Sequence, residues 1–236
     1  MRLGIVADIH GNASALDAVL ADGREADVDR WMCLGDVIGY GPDASACLRR
    51  LREFDVACLQ GNHEARLLGL PTGPFNPMAE AAIEFCRRTL DARDREQIQH
   101  FPTRIRWDDE VLFCHGSPED RDEYLLVETR VRALVAEQST WLVFCGHTHQ
   151  QFVFDGERTV DRPGTRDLER SRRYLVNPGS VGQPRDGDPR AAYALLDFEN
   201  ASLQLRRVPY DVDAQVRRTR EAGLHTYLGD RLRQGW

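Results

Sequence analysis

Seven residues of this chain are histidines, and five of them fall directly after short apolar runs, in company with aspartate, asparagine and glycine. The first such run ends in Asp8-Ile9-His10, the second in Gly35-Asp36, the third in Gly61-Asn62-His63-Glu64. Two later runs end in His115-Gly116 and in Gly146-His147-Thr148-His149; only His100 and His225 lie elsewhere. Between His10 and Gly35 stand 24 residues, and between Asp36 and Gly61 another 24. The donors gathered this way are two carboxylates, one amide and five imidazoles, with no cysteine among them. Oxygen donors mixed with imidazole nitrogens suit Mn, Fe or Zn in an open site, not a cysteine-rich structural zinc. So many ligands exceed what one ion with a free position requires, and two metals sharing a bridging carboxylate is the economical arrangement. Each element alone is weak, since a strand-end Asp or His is often a cap or a hydrogen-bonded core group. Five in one order, all at strand ends, are a metal site.

These donors can meet only if the elements before them are strands of one architecture. Arg2–Ala7, Arg30–Leu34 and Val56–Leu59 are apolar runs, separated by helical periodicity over Ser14–Ala26 and Asp43–Arg52. That alternation is the mark of right-handed βαβ units on a parallel sheet. Open α/β sheets bind ligands at the carboxyl ends of their strands, so the five endings are expected to converge. In an extended segment residues i and i+2 point the same way, so Asp8 with His10, and His147 with His149, should present paired donors. Glu64–Gln99 reads as mostly helical, broken by Pro71–Pro77. From there the character turns to β: Ile105–Trp107, Val111–Cys114, Trp141–Cys145, Gln151–Phe154, Arg173–Val176, Ala192–Phe198 and Leu203–Pro209. Helices are expected at Glu128–Glu137 and Asp213–Gly223. The late strands alternate less cleanly than a one-faced sheet would, which fits two sheets packed on each other with helices outside. Gly39–Pro42, Pro71–Pro77, Ser117–Asp122 and Asn177–Pro189 read as surface loops with a role.

Composition excludes several chemistries. Of 236 residues, 31 are basic, and every one of these is arginine. Without lysine there is no Walker-type phosphate loop, no kinase strand lysine and no Schiff-base nucleophile. The formal charge of −7 argues against a nucleic-acid partner. Clusters such as Arg170, Arg172 and Arg173, or Arg217, Arg218 and Arg220, read as solvated faces. No apolar run reaches membrane-spanning length and none reads as a signal peptide. Six cysteines without C-x-x-C spacing, four of them inside apolar runs, read as reduced core thiols of a cytoplasmic protein.

The set D-x-H, G-D, G-N-H-E, a lone H and G-H-x-H, in this order and spacing, resembles the calcineurin-like metallophosphoesterases from Arg2 to about Phe198. Asn177-Pro178-Gly179-Ser180-Val181 is similar to the small cytoplasmic branch found in prokaryotes. The resemblance implies an α/β fold, a four-layer αββα sandwich of two mixed β-sheets flanked by helices. It would form one domain over residues 1–236, with a motif-bearing core of about 2–198 and a strand and helices over 203–236. Asp8, His10, Asp36 and His149 would then hold a first divalent metal, and Asp36 would bridge to a second completed by Asn62, His115 and His147. Manganese comes first for both ions, with Fe or Zn as alternatives. His63 would bind no metal and would act as general acid for the leaving oxygen.

A bridging hydroxide between two divalent ions, with the Asp8 and Asp36 charges, leaves such a site at about +1, attractive to a phosphate anion. The ions would lower the pKa of that water and supply the nucleophile for in-line attack. The run Gly35-Asp36-Val37-Ile38-Gly39-Tyr40-Gly41 lacks the Asp and Arg of G-D-x-V-D-R-G, which points away from protein Ser/Thr phosphatases. Retention of His63 keeps both monoesters and diesters open. Arg185 would contact phosphate through its guanidinium fork or stand as a surface arginine in a turn. Tyr40 would stack on a base or plug a loop. The expected substrate is a small phosphate ester, a nucleotide-type diester or dinucleoside polyphosphate first, with no membrane partner and with room for a homo-oligomer. The alternatives are a non-catalytic scaffold of this fold for protein partners, and nucleotide binding without turnover.

Overall fold

The computed structural model describes residues 1–236. Chain order begins β1 (Arg2–Val6), α1 (Ala13–Glu25), β2 (Arg30–Cys33), α2 (Ala44–Glu53) and β3 (Ala57–Cys58). Three helices follow: α3 (Asn62–Leu67), α4 (Pro77–Thr89) and α5 (Ala92–Gln99). Next come β4 (Arg104–Trp107), β5 (Val111–Cys114), α6 (Glu128–Glu137), β6 (Leu142–Phe144), β7 (Gln151–Phe154), β8 (Thr159–Val160) and β9 (Gly164–Asp167). The chain continues through β10 (Tyr174–Pro178), β11 (Ala191–Asp197), β12 (Ser202–Val208), α7 (Val212–Glu221), α8 (Thr226–Asp230) and a 3₁₀ turn over Arg231–Gln234. No helix is long and apolar enough to cross a membrane.

Two six-stranded mixed sheets result, ordered β3-β2-β1-β11-β12-β9 and β4-β5-β6-β10-β7-β8. In the first, β1, β2 and β3 run parallel while β11, β12 and β9 add antiparallel. In the second, β5, β6 and β10 are parallel, flanked by antiparallel β4 and β7.

Side-chain alternation builds the layers. Along β1, Leu3, Ile5 and Ala7 enter the core between the sheets, while Val6 turns to the helices. Val111 and Phe113 of β5 and Leu142 and Phe144 of β6 meet them from the other sheet. Leu112, Cys114, Val143 and Cys145 point the opposite way, onto Val131, Leu134 and Val135 of α6. Both faces of these strands are buried, which is why their sequences read as continuous apolar runs. The helix α1 lays Leu16, Val19 and Leu20 on the first sheet, and α2 adds Cys47, Leu48 and Leu51. The outcome is α, β, β, α in four layers.

All six cysteines are free and buried. Two strands, β8 and β9, were not expected, because each is short and largely exposed and so carries no alternating apolar signal. The expected run Val56–Leu59 pairs only through Ala57 and Cys58. The loop expected at Asn177 starts later, since Asn177 and Pro178 still pair with β7.

Candidate metal centre

Loops leaving β1, β2, β3, β5 and β6 meet at one edge of the sandwich, the first three from one sheet and the last two from the other. The route is not the extended one expected from the sequence. Asp8, His10, Asp36, His147 and His149 all sit at positive φ, between 49° and 66°. Left-handed backbone is rare for residues with a Cβ, and its concentration here marks a strained, tightly folded site. The chain after β1, β2 and β6 therefore turns abruptly and swings its donors inward, and pairs at i and i+2 divide their duties.

Three groups of donor atoms lie within 4.8 Å of one another: Asp8, His10 and His149; His10, Asp36 and His63; and Asp36, His115 and His147. Asp36 is common to two of them, with Oδ2 3.7 Å from His10 Nε2 and 3.4 Å from His115 Nε2. Its other oxygen accepts the His63 backbone N–H at 2.9 Å, which fixes the carboxylate's rotation. Asp8 Oδ2 accepts the His147 N–H at 3.0 Å, leaving Oδ1 buried and unpartnered beside His149 Nε2 at 3.4 Å.

Backbone carbonyls set the imidazole tautomers. Ile38 O meets His10 Nδ1 at 3.0 Å, Leu34 O meets His115 Nδ1 at 2.9 Å, and Gln183 O meets His149 Nδ1 at 2.6 Å. A carbonyl only accepts, so each Nδ1 carries a proton and each ring turns Nε2 inward; at His115 burial is outweighed by the Asp36 and Asp8 carboxylates, which raise the imidazole to about 9. The same logic reverses His147, whose Nε2 lies 3.2 Å from Asp122 O and whose buried Nδ1 has no partner. Burial, joined by the field of His115, lowers His147 to about 3, and burial lowers His63 to about 4 against the pull of Asp36. Burial also holds His10 and His149 well below the ordinary histidine range. Their Nε2 atoms, both lone-pair bearers, face each other at 3.1 Å. Two lone pairs at that distance repel unless a cation lies against both, and Asp8 Oδ1 adds a third donor. The residues fit a divalent ion.

The sequence placed Asn62 here too, and its Oδ1 stands 3.1 Å from His115 Nε2. His63 shares a donor group with His10 and Asp36, its Nε2 3.9 Å from Asp36 Oδ2 and its Nδ1 unpartnered. Gly39 makes room for it: a Cβ there would come within 2.1 Å of His63 Nδ1, and φ at Gly39 is +86°. Tyr40 packs on both His10 and His63, with ring centroids 4.7 and 4.8 Å away. Arg185 lies over Tyr40 at 5.8 Å, its Nη2 bonded to Gln183 Oε1 at 3.0 Å and its Nε buried without a partner. Asp36, Asn62, His63, His147, His149, Tyr40 and Arg185 line one narrow cleft of about 70 Å³. Asp8, His10 and His115 stand behind it.

Several contributors carried no assigned role in the sequence reading. Glu64, inside the G-N-H-E run, accepts the N–H groups of Asp36, Val37, Ile38 and Gly61 at 2.8–3.2 Å, pinning the β2 loop to α3. Burial and the nearby Asp36 charge push its carboxyl up to about 7. Ser180 Oγ donates to Asp8 O at 2.7 Å, and Asn177 Nδ2 to Gly146 O at 2.8 Å. Position within a motif was the available signal for all three. Tyr124 stacks on His147 at 3.8 Å from a segment without helix or strand, and nothing local in its sequence announces that.

A family model, that of the calcineurin-like phosphoesterase superfamily domain, matches residues 1–201. An uncharacterized protein of Methanocaldococcus jannaschii is 31% identical over 239 residues, covering 98% of this chain and 96% of that one. Phosphodiesterase YfcE of Escherichia coli is 26% identical over 209 residues, 86% of this chain and 91% of its own. A metallophosphoesterase crystal structure from Sphaerobacter thermophilus superposes with a TM-score of 0.89 at 34% identity, covering 100% of this chain and 99% of that chain.

Proposed function

This chain belongs to the calcineurin-like phosphoesterase superfamily and is a hydrolase acting on phosphate esters, and on that premise we propose how its own residues divide the work. Asp8, His10, Asp36 and His149 hold one divalent ion; Asp36, Asn62, His115 and His147 hold another. Manganese suits both positions, with iron or zinc as the alternatives. When bound, such a pair supplies positive charge against phosphate oxygens and an activated water for in-line attack. The observation that carries this reading is the facing pair of His10 and His149 Nε2 atoms, with Asp36 grouped both with His10 and with His115 and His147.

His63 stands over the cleft as the proton donor for the departing oxygen. Burial disfavours its charged form, and the negative charge of a bound phosphate would favour it. Arg185 offers an uncommitted buried N–H to a phosphate oxygen. Tyr40, packed against two histidines, forms a wall and keeps His63 in place. The cleft of about 70 Å³ has room for about five waters, enough for a phosphoryl group and not for a whole nucleotide. The ester's substituents must therefore project past the rim, which admits both mono- and diesters, a nucleotide-type diester or dinucleoside polyphosphate among them. The relative named phosphodiesterase supports the diester part of that range.

Turnover of p-nitrophenyl phosphate and of its bis-ester with added Mn²⁺ tests the reading. Hydrolysis of at least one is expected. Silence on both, with metal shown to be bound by elemental analysis, overturns it in favour of a non-catalytic scaffold.

A further inference from the structure

We propose that the segment 227–236 completes a second subsite beside the phosphoryl cleft, which holds the leaving group of a nucleoside polyphosphate by its base and a further phosphate. This rests on the phosphoesterase reading above and extends it to the substrate's remote end.

Arg185 is the hinge of the argument, because it lines two spaces at once. One is the narrow cleft with Asp36, His63 and His147; the other is a cavity of about 440 Å³ shared with Tyr227, Arg231 and Trp236. A ligand whose reacting phosphoryl sits in the first space and passes Arg185 enters the second. What it meets there is aromatic and cationic. Tyr227 is 47% exposed and Trp236 64% exposed, large rings left against a concave surface. Such rings take the flat face of a base by stacking. Neither Arg185 nor Arg231 forms an ion pair with a carboxylate, whereas Arg190, Arg206, Arg207, Arg218 and Arg220 all do. The Arg231 guanidinium lies over the Tyr227 ring at 5.4 Å. The acidic residue of the lining, Asp186, is already engaged by Arg207 and by the Gln151 N–H at 3.0 Å. Arg231 Nε donates to Trp236 O, which leaves its remaining N–H groups and the partnerless Nε of Arg185 for an anion, and phosphate fits that fork geometry.

The wall is not a loose appendage. Leu224 and Leu228 pack with Tyr40, Ala79 and Ala82 in one buried cluster. The Gly187 N–H donates to Gly235 O at 3.0 Å, joining the segment to the loop that carries Arg185. A Cβ at Gly235 would come within 2.7 Å of the Asp188 backbone, so this contact is close. Placement of Tyr227, Arg231 and Trp236 relative to the metal cleft is thereby set by the fold.

Two measurements test the subsite separately from the activity. In the first, ADP binding to the chelator-treated protein is followed by calorimetry for wild type, Trp236→Ala, Tyr227→Ala, Tyr227→Phe and Arg231→Gln. In the second, the ratio of kcat/KM for diadenosine tetraphosphate to that for glycerol 1-phosphate is compared across the same variants with metal added. Loss of one stacking ring should weaken ADP binding and lower the ratio roughly 5- to 100-fold, with Tyr227→Phe close to wild type. Arg231→Gln should lower both by about 10-fold or more. ADP affinity equal in all variants, or an equal fall on both esters that leaves the ratio unchanged, overturns the subsite. Hydrolysis of neither ester would instead overturn the phosphoesterase reading, while the ADP series still decides the subsite.

Discussion

His63 differs from the other four clustered histidines in what holds it. Three rings are fixed through Nδ1 by backbone carbonyls and a fourth through Nε2, but His63 has an unpartnered Nδ1 and is positioned by packing against Tyr40, Phe75 and Gly39. A ring held by shape keeps both nitrogens available for a proton, which suits an acid more than a ligand. His63→Ala should therefore leave metal stoichiometry unchanged while kcat falls by about 10²–10⁴ on an alkyl phosphate. The loss should be smaller on p-nitrophenyl phosphate, whose leaving group needs little help. Elemental analysis and steady-state kinetics on the two esters check this; loss of metal in the variant would make His63 a ligand. Most of this site was legible because its donors sit in short runs directly after apolar strands. Tyr124 was not, since its approach to His147 depends on how residues 116–127 cross between the layers.

At the scale of elements, most strands and helices announced themselves by buried apolar runs and helical spacing, whether or not a donor follows them, and the exposed strands did not. The strand β9 is the clearest case: Gly164-Thr165-Arg166-Asp167 has no apolar residue and forms only because β12 offers an edge to pair with. Likewise the donors at i and i+2 converge through left-handed turns that no periodicity encodes. One junction between elements lends itself to measurement. Asp22 of α1 accepts from Tyr193 Oη of β11 at 2.6 Å and from Arg206 of β12 at 2.9 and 3.1 Å, fastening the helix layer to the sheet. Burial would raise the Asp22 carboxyl, but the Arg206 and Tyr193 hydrogen bonds prevail and hold it below the ordinary 3.8. A depressed folded pKa means stability that is present above the unfolded value and lost as pH falls through the folded one. Because the pair is partly exposed, Asp22→Ala should cost about 1–2 kcal/mol at neutral pH, or about 3–6 °C in Tm. The difference between wild type and variant should be constant from about pH 8 to about pH 5 and shrink below about pH 4. A difference that grew on acidification would contradict the assignment.

For the whole molecule, the site lies where the two sheets come together. Asp8, Asp36 and Asn62 follow strands of the first sheet, and His115, His147 and His149 follow strands of the second, so each ion would take ligands from both. The sandwich core already joins the sheets through Leu3, Ile5, Phe113, Phe144 and Val176. At the donor edge, by contrast, the His10 and His149 lone pairs face each other beside the unpartnered Asp8 Oδ1. Cations that bind there relieve the repulsion of those lone pairs and bridge the layers, and they bind the folded state alone. Metal at about 100 times its dissociation constant should then add about 2.7 kcal/mol, which for a chain of this size raises Tm by about 5–10 °C. Because residues 1–236 are proposed to form one domain, unfolding should be a single transition with and without metal. Calorimetry of the protein before and after chelation, followed by Mn²⁺ titration, reads both quantities. A melting temperature indifferent to metal would remove the ions from this edge. A second transition that moves alone with metal would show that the donor loops fold as a unit apart from the sandwich.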